Sequence, residues 1–206
     1  LRRDEQLLAA CIHFAGLADF EEVSSFLSVL AEICLQKALG AAISVREPSV
    51  AVLGMGKIAG REFTYFSDLD LIFLYPDGAA DPAGAARVAQ RLIQFLTTST
   101  AAGTAYAVDS RLRPSGRQGT LVTSFAAFAR YQRESAATWE HVALMRSRAI
   151  AGRSAEAQDL LDATRGEIAS RRASPWSAIA DIRRRVERER ADSAADMLAF
   201  KTGRGG

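Results

Sequence analysis

The chain has 206 residues, of which 49% are hydrophobic and 24% are charged. A chain of this length buries a substantial core and fits one domain with additions or two small domains. Its 26 basic and 24 acidic residues give a formal net charge of +2, so no global field favours nucleic acid or an anionic membrane as a partner. We find no apolar run long enough to span a bilayer and no secretory start, and we therefore predict a cytoplasmic protein.

The cysteines and the chain ends add two expectations. Cys11 and Cys34 lie in apolar helical patterns, which favours small buried residues in a reducing compartment over a disulfide or a metal site. The sequence opens on Leu1 and closes with the glycine-rich segment KTGRGG. We expect a piece of a longer protein, and a flexible natural terminus is the alternative.

Apolar residues at helical spacing predict two helices at the start of the chain, over 4–16 and 19–39. Asp19 is placed as the N-cap of the second helix, because its carboxylate can accept hydrogen bonds from the first free amides. Gly40 is expected to end that helix.

Strands and helices then alternate. PSVAVLGMG predicts a buried strand that enters a glycine loop, and SDLDLIFLY predicts the next strand, joined to the first by a turn over 57–66. DPAGAARVAQRLIQFLTTST predicts a helix with Pro82 in its first turn. Its expected buried stripe is Val88, Leu92, Phe95 and Leu96. GTAYAVDSRL predicts a return to strand.

The last third is predicted to be helical. TSFAAFARYQRES, capped by Thr123 or Ser124, and ATWEHVALMRSRAIAG predict two helices, and a charged helical stretch from 154 onward is interrupted at ASPW. The order of elements predicts an α+β fold, with a mixed sheet of five strands or fewer flanked by helices.

The segment YFSDLDLIFLY carries two aspartates beside a run that is otherwise apolar. In a strand, Asp68 and Asp70 share one face. The continuation LIFL is apolar on both faces, which indicates a strand covered on both sides. Two such carboxylates repel each other unless a cation lies between them. The alternative is an ordinary half-exposed strand with Asp68 as a cap or turn residue.

A glycine-rich loop precedes this pair. LGMGKIAGREF places Gly54, Gly56 and Gly60 directly after a strand, where bare backbone can approach a phosphate closely. The pattern is neither a Rossmann fingerprint nor a P-loop, since Lys57 is not followed by Ser or Thr. A purely structural turn is the alternative.

A third aspartate lies in YAVDSRLRPSG. Asp109 is followed at same-face positions by Arg111 and Arg113. One interpretation is a strand in which Asp109 pairs with its own arginines. The other is that three aspartates on adjacent strand ends hold one or two Mg²⁺ ions that bridge nucleotide phosphates, while the arginines neutralise charge.

These residues resemble the nucleotidyltransferases of the DNA polymerase β type, and more closely the glutamine synthetase adenylyltransferases. The resemblance is carried by GMGKIAGREFTYFSDLDLIFLY, YAVDSRLRPSGRQGTLVTSFAAFARYQ and TWEHVALMRSRAIAG, over about residues 48 to 152. It implies a nucleotidyltransferase domain over 46–152, an N-terminal helical flank over 1–45 and a helical extension over 153–206 that we expect to be truncated. RLRPSG, LVTS and WEHVALMRSR resemble the C-terminal, adenylylating head of these two-headed enzymes.

The resemblance also implies roles for individual residues. Asp68 and Asp70 would ligate Mg²⁺, and Asp109 would ligate the catalytic metal and help to deprotonate an attacking tyrosine. The triphosphate would be held by Gly54, Gly56, Lys57, Ser67, Arg111 and Arg113. The implied reaction transfers AMP from ATP to a tyrosine of glutamine synthetase, with PII signalling proteins regulating the full-length enzyme. Two alternatives are the reverse head, which removes AMP with phosphate, and a nucleotide-binding regulatory domain without turnover.

The segment TWEHVALMRSR leaves several roles open. Trp139 is most simply a core residue, and His141 a hydrogen-bonded packing residue rather than a catalyst. Arg146 and Arg148 could contact phosphate or bond the carboxylates of the sheet.

Overall fold

The computed structural model describes residues 2–44, 50–78, 81–101, 103–171, 179–181 and 183–184. The helices are α1 (Arg2–Phe14), α2 (Phe20–Ala42), α3 (Lys57–Gly60), α4 (Pro82–Thr97), α5 (Phe125–Glu134), α6 (Thr138–Met145) and α7 (Ser154–Arg171). The strands are β1 (Ala51–Met55), β2 (Leu69–Tyr75), β3 (Val108–Asp109), β4 (Val122–Ser124) and β5 (Ser147–Gly152).

The five strands form one mixed sheet. Its order is β3-β2-β1-β5. β4 pairs with the same edge of β2 as β3 does, but farther along the strand. β1 runs antiparallel to both β2 and β5, whereas β3 and β4 run parallel to β2. The predicted α+β fold with a small mixed sheet is therefore confirmed.

Helices cover both faces of β2. Leu71 and Phe73 pack in one cluster with residues of α2 and α4, while Ile72 and Leu74 pack in a second cluster with residues of α5, α6 and α7. Alternating side chains of the strand thus enter two separate cores. This confirms that the apolar run after the aspartates is a strand covered on both sides. Asp68 and Asp70 lie at the start of this strand.

The predicted start of α2 is correct and the predicted end is wrong. Asp19 caps the helix through a capping box with Glu22, as expected. The helix does not end at Gly40 but continues to Ala42, because no positive φ or close contact at Gly40 interrupts it. By length and composition alone α2 could cross a membrane, which we did not expect. Leu27, Leu35 and other residues of α2 belong to the core beneath the sheet, which is the packing of a core helix.

The predicted helix ATWEHVALMRSRAIAG is half wrong. Only Thr138–Met145 is helical, and Ser147–Gly152 forms β5 on the open edge of β1. The backbone groups of that edge need partners, and this requirement outweighs the local helical pattern. ASPW lies outside the described residues.

Three smaller expectations also need correction. The strand predicted over GTAYAVDSRL is reduced to Val108–Asp109. In α4 the stripe is buried at Val88, Leu92 and Leu96, but Phe95 is 48% exposed. Cys11 is exposed rather than buried, although both cysteines are free thiols as predicted.

Candidate functional site

The structure brings the three predicted aspartates together. Asp70 of β2 and Asp109 of β3 are register partners, and Asp68 lies just before β2 on the same side. One carboxylate oxygen from each of the three residues lies within 4.8 Å of the others. Asp68 is exposed, and Asp70 and Asp109 are half-buried, so a solute can reach the cluster.

The donor set suits a hard divalent cation. Mg²⁺ binds oxygen ligands at about 2.1 Å, so two ligands of one ion lie about 3 to 4.2 Å apart. The spacing of the cluster matches one ion after a small side-chain rotation, or two ions about 3.5 to 4 Å apart that share carboxylates. Three carboxylates without nitrogen or sulfur donors favour Mg²⁺ or Mn²⁺ over zinc.

Asp109 is also paired with Arg111, as the alternative interpretation predicted. The guanidinium Nε lies 2.9 Å from Oδ1 and 2.7 Å from Oδ2, Nη2 donates to Oδ2, and the Arg111 amide donates to Oδ1 at 2.8 Å. The side-chain hydrogen bonds of Arg111 are the largest cause and lower the pKa of Asp109, while burial opposes them. Asp109 is therefore ionised throughout the neutral range.

Gly56, Lys57 and Ser67 lie around the cluster. A side chain at Gly56 would place its Cβ 3.5 Å from Oδ2 of Asp70, and Gly56 has φ +59°. Its amide donates to the carbonyl of Arg146, so this amide serves the junction of α6 and β5. The Lys57 ammonium lies 3.4 Å from the Ser67 hydroxyl, which also accepts a hydrogen bond from the Thr64 amide.

Two other predicted phosphate ligands have structural tasks. A Cβ at Gly54 would lie 2.8 Å from methyl groups of both Ile150 and Ile58, so close packing accounts for this glycine. Arg113 donates to the carbonyls of Ser110 and Gly119 and holds the loop after β3. The phosphate roles assigned to both residues stay predictions.

Sequence analysis missed how the glycine loop is held in place. Arg148 of β5 donates to the carbonyls of Ile58 and Ala59 and pairs with Glu32 of α2. Arg146 pairs with Glu62 in the loop after α3. Both arginines thus have structural partners that were not among the roles considered for them, and the phosphate contact considered for them stays a prediction. A signal was present in the sequence, since Glu32 is the one acidic residue of α2 beyond its first turn, but its partner is 116 residues away.

The start of α6 is a packing feature. His141 contacts the carbonyl of Gln132 through Nε2 at 2.9 Å, which agrees with the packing interpretation. Glu140 accepts hydrogen bonds from the Tyr131 hydroxyl and the Ala137 amide. Trp139 is 49% exposed, so the prediction of a core residue is wrong.

Comparison with known proteins identifies the family. The sequence profile of the family described as glutamate-ammonia ligase adenylyltransferase matches residues 1–163. The chain belongs to this adenylyltransferase family. The resemblance found in the sequence motifs is thereby confirmed.

Individual relatives carry the name bifunctional glutamine synthetase adenylyltransferase/adenylyl-removing enzyme. The relative in Neisseria meningitidis serogroup A is 45% identical over 161 residues, covering 75% of this chain and 18% of the relative. The relative in Xanthobacter autotrophicus is 45% identical over 171 residues, with 76% and 17% covered. The relative in Pseudomonas aeruginosa is 38% identical over 190 residues, with 80% and 19% covered. This member of the adenylyltransferase family thus spans less than a fifth of these relatives' length.

Proposed function

We propose that this domain transfers AMP from ATP to a tyrosine hydroxyl of glutamine synthetase, releasing pyrophosphate. The observation that carries the proposal is the convergence of Asp68, Asp70 and Asp109 at the end of two paired strands. Support comes from the family to which the chain belongs and from the name that its relatives carry. In the reaction the tyrosine oxygen bonds to the α-phosphorus, the bond from that phosphorus to the β-phosphate bridge breaks, and the tyrosine proton is released.

The three carboxylates would hold Mg²⁺ that arrives with the nucleotide. When bound, the metal supplies Lewis-acid stabilisation of the phosphate charge and lowers the pKa of a coordinated hydroxyl. Asp70, in the centre of the cluster by register, is placed to contact two ions. Asp109, ionised because Arg111 stabilises its charge, would need to lose no proton before it binds a metal ion.

A tyrosine of unperturbed pKa near 10 is a weak nucleophile at neutral pH, so removal of its proton needs assistance. Asp109 is a poor proton acceptor while Arg111 holds its pKa below the ordinary value. Its basicity rises when Arg111 moves away. We therefore assign Asp109 first to ligation, and to proton acceptance only after the arginine has turned to another partner.

The triphosphate would lie along the glycine loop. Gly56 leaves open space beside Asp70, and the Lys57 ammonium, 3.4 Å from Ser67, offers a positive charge at the same edge. The guanidinium of Arg111, whose side chain is 63% exposed, offers a second positive charge beside the cluster. We assign phosphate contacts to Lys57, Ser67 and Arg111. Gly54 and Arg113 shape the loops that carry these groups, and the phosphate contacts predicted for them stay predictions.

The adenylylating direction is proposed from RLRPSG and WEHVALMRSR. The competing direction is phosphorolysis, in which phosphate attacks the AMP–tyrosine phosphorus and leaves ADP and free tyrosine. Both directions need the same metals, because each is an in-line attack at phosphorus. We also propose regulation of the full-length protein through PII signalling proteins, because the family resemblance implies it. The cytoplasmic location and the lack of a nucleic-acid or membrane partner, which were predicted from charge and hydropathy, stay proposals.

The test of direction uses the protein expressed from its complete gene. Purified unmodified glutamine synthetase is incubated with Mg²⁺ and ATP labelled at the α-phosphate, in parallel with Asp68→Ala and Asp70→Asn substitutions in this domain. We expect label on the synthetase with the natural protein and its loss in both variants. Transfer that survives both substitutions, together with phosphate-dependent release of ADP from pre-modified synthetase that both abolish, would reverse the assignment.

A further inference from the structure

The carboxylate of Asp109 is saturated by one residue. An ionised carboxylate offers about four lone-pair sites. Oδ1 accepts from the Arg111 amide and Nε, and Oδ2 accepts from Nε and Nη2. Within the described part of the chain, every acceptor site of Asp109 therefore already faces a donor of Arg111, and a cation can bind there only after at least one of these bonds breaks.

The arginine is also placed to leave. Its side chain is 63% exposed, whereas that of Asp109 is 16% exposed. Three of its four contacts come from the guanidinium and one from the backbone amide. The side chain can swing outward while the amide bond keeps the Asp109 carboxylate oriented.

We propose that Arg111 and a divalent cation compete for Asp109, and that the triphosphate of a nucleotide relieves the competition by giving the guanidinium another anionic partner. This inference rests on the proposed function, because it concerns the metal site of that reaction. A guanidinium and a divalent cation repel each other at the same carboxylate, and phosphate matches the fork of an arginine as well as carboxylate does. The charges of Asp70 and Asp68 also attract Arg111, so its departure frees Asp109 and removes a competing positive charge from the other two carboxylates.

The competition has a thermodynamic consequence. Metal alone must displace Arg111 without compensation, so it binds weakly. Metal and nucleotide together place both cations on anions, and each ligand therefore raises the affinity of the other reciprocally. The site would therefore bind free divalent ions weakly and bind them more tightly when a nucleotide is present.

The test measures Mn²⁺ affinity without nucleotide, by the electron paramagnetic resonance signal of free Mn²⁺. Arg111→Gln should bind Mn²⁺ about threefold to tenfold more tightly than the natural protein, because the competing charge is gone. Arg117→Gln is the matched control. Arg117 acts on Asp109 through its charge, and we expect a change below about twofold from this through-space effect. An unchanged or weaker Mn²⁺ affinity in Arg111→Gln would overturn the inference.

Two further variants separate this inference from the proposed function. Asp109→Asn should weaken Mn²⁺ binding; if it does not, the metal site itself is wrong. Arg111→Lys keeps the charge and loses the fork, so its Mn²⁺ affinity should fall between those of Arg111→Gln and the natural protein.

With Mn²⁺ and ATP together, Arg111→Gln should bind the nucleotide about tenfold less tightly, because the phosphate has lost its guanidinium. A tighter complex would contradict the proposed exchange of partners. Thermal unfolding of each variant establishes that the fold is intact.

Discussion

Asp70 and Asp109 are direct partners across the parallel pair of β2 and β3. Neighbouring strands lie about 4.8 Å apart, and partners in register point to the same face of the sheet. Their like charges are therefore held close by backbone hydrogen bonds rather than by any attraction between them. A cation between the two carboxylates would therefore stabilise the folded protein, because it offsets their repulsion.

Asp70→Asn tests the metal-bridging role without changing side-chain shape. The substitution removes a ligand charge, and we expect the affinity for Mg-ATP to fall by at least about tenfold while thermal unfolding stays within a few degrees. Isothermal titration calorimetry measures the affinity. Glu156→Gln is the matched control, since it removes an exposed carboxylate that pairs with Arg153 at the start of α7. Equal affinity in Asp70→Asn and the natural protein would remove Asp70 from the site.

Gly54→Ala separates packing from phosphate binding. The added Cβ would lie 2.8 Å from both Ile150 Cδ1 and Ile58 Cγ2, so we expect a loss of about 1 to 3 kcal/mol in the free energy of unfolding. Ile150→Val removes one of the two contacts and should recover part of that loss in the double variant. Nucleotide affinity of the folded fraction should be unchanged. A stable Gly54→Ala protein that fails to bind nucleotide would restore the phosphate role.

Gly56→Ala, unlike Gly54→Ala, should weaken the binding of the nucleotide. The position has φ +59° and ψ −122°, a conformation nearly restricted to glycine, so strain of about 1 to 3 kcal/mol is expected. The new Cβ would also lie 3.5 Å from Oδ2 of Asp70 and fill space that we assign to the triphosphate. Calorimetry should show weaker Mg-ATP binding, in contrast with Gly54→Ala. Unaltered binding would place the triphosphate elsewhere.

The raised pKa of Tyr106 should lower the free energy of unfolding at high pH. Burial, as the largest cause, raises its pKa from 10.0 to about 12. The folded state thus holds the phenol proton more tightly than the unfolded state, so this stability is complete below pH 10 and is lost as the pH rises to 12. The difference amounts to about 3 kcal/mol at most. Denaturant unfolding across this range should show the loss in the natural protein and a smaller one in Tyr106→Phe; parallel pH profiles would contradict it.

Much of the site was predictable because its signals are local. Asp68 and Asp70 are separated by one residue, which predicts a shared face. The apolar run after them predicts a strand buried on both sides. The place of Asp109 also followed from the motif, although the pairing of its strand with β2 did not. The capping box at Asp19 was readable for the same reason, since it spans only three residues.

The failures have a common physical origin in distant partners. β5 was taken for helix because its strand character comes from the open edge of β1, almost a hundred residues earlier in the chain. The pairing of Arg148 with Glu32 was not predicted because Glu32 lies in α2, 116 residues earlier in the chain. Exposure of Trp139 and Phe95 depends on which helices lie beside them, which periodicity does not specify.

The central claim is that the three-carboxylate cluster carries out AMP transfer. Its most direct measurement is the rate at which labelled AMP appears on unmodified glutamine synthetase, using the protein expressed from its complete gene with saturating ATP and Mg²⁺. We predict that Asp109→Asn lowers this rate by at least about 100-fold, as expected for loss of a charged group at a phosphoryl-transfer centre, while Glu156→Gln, which breaks an exposed ion pair with Arg153, leaves it within about twofold. An Asp109→Asn protein that transfers AMP as fast as the Glu156→Gln protein would contradict the assignment.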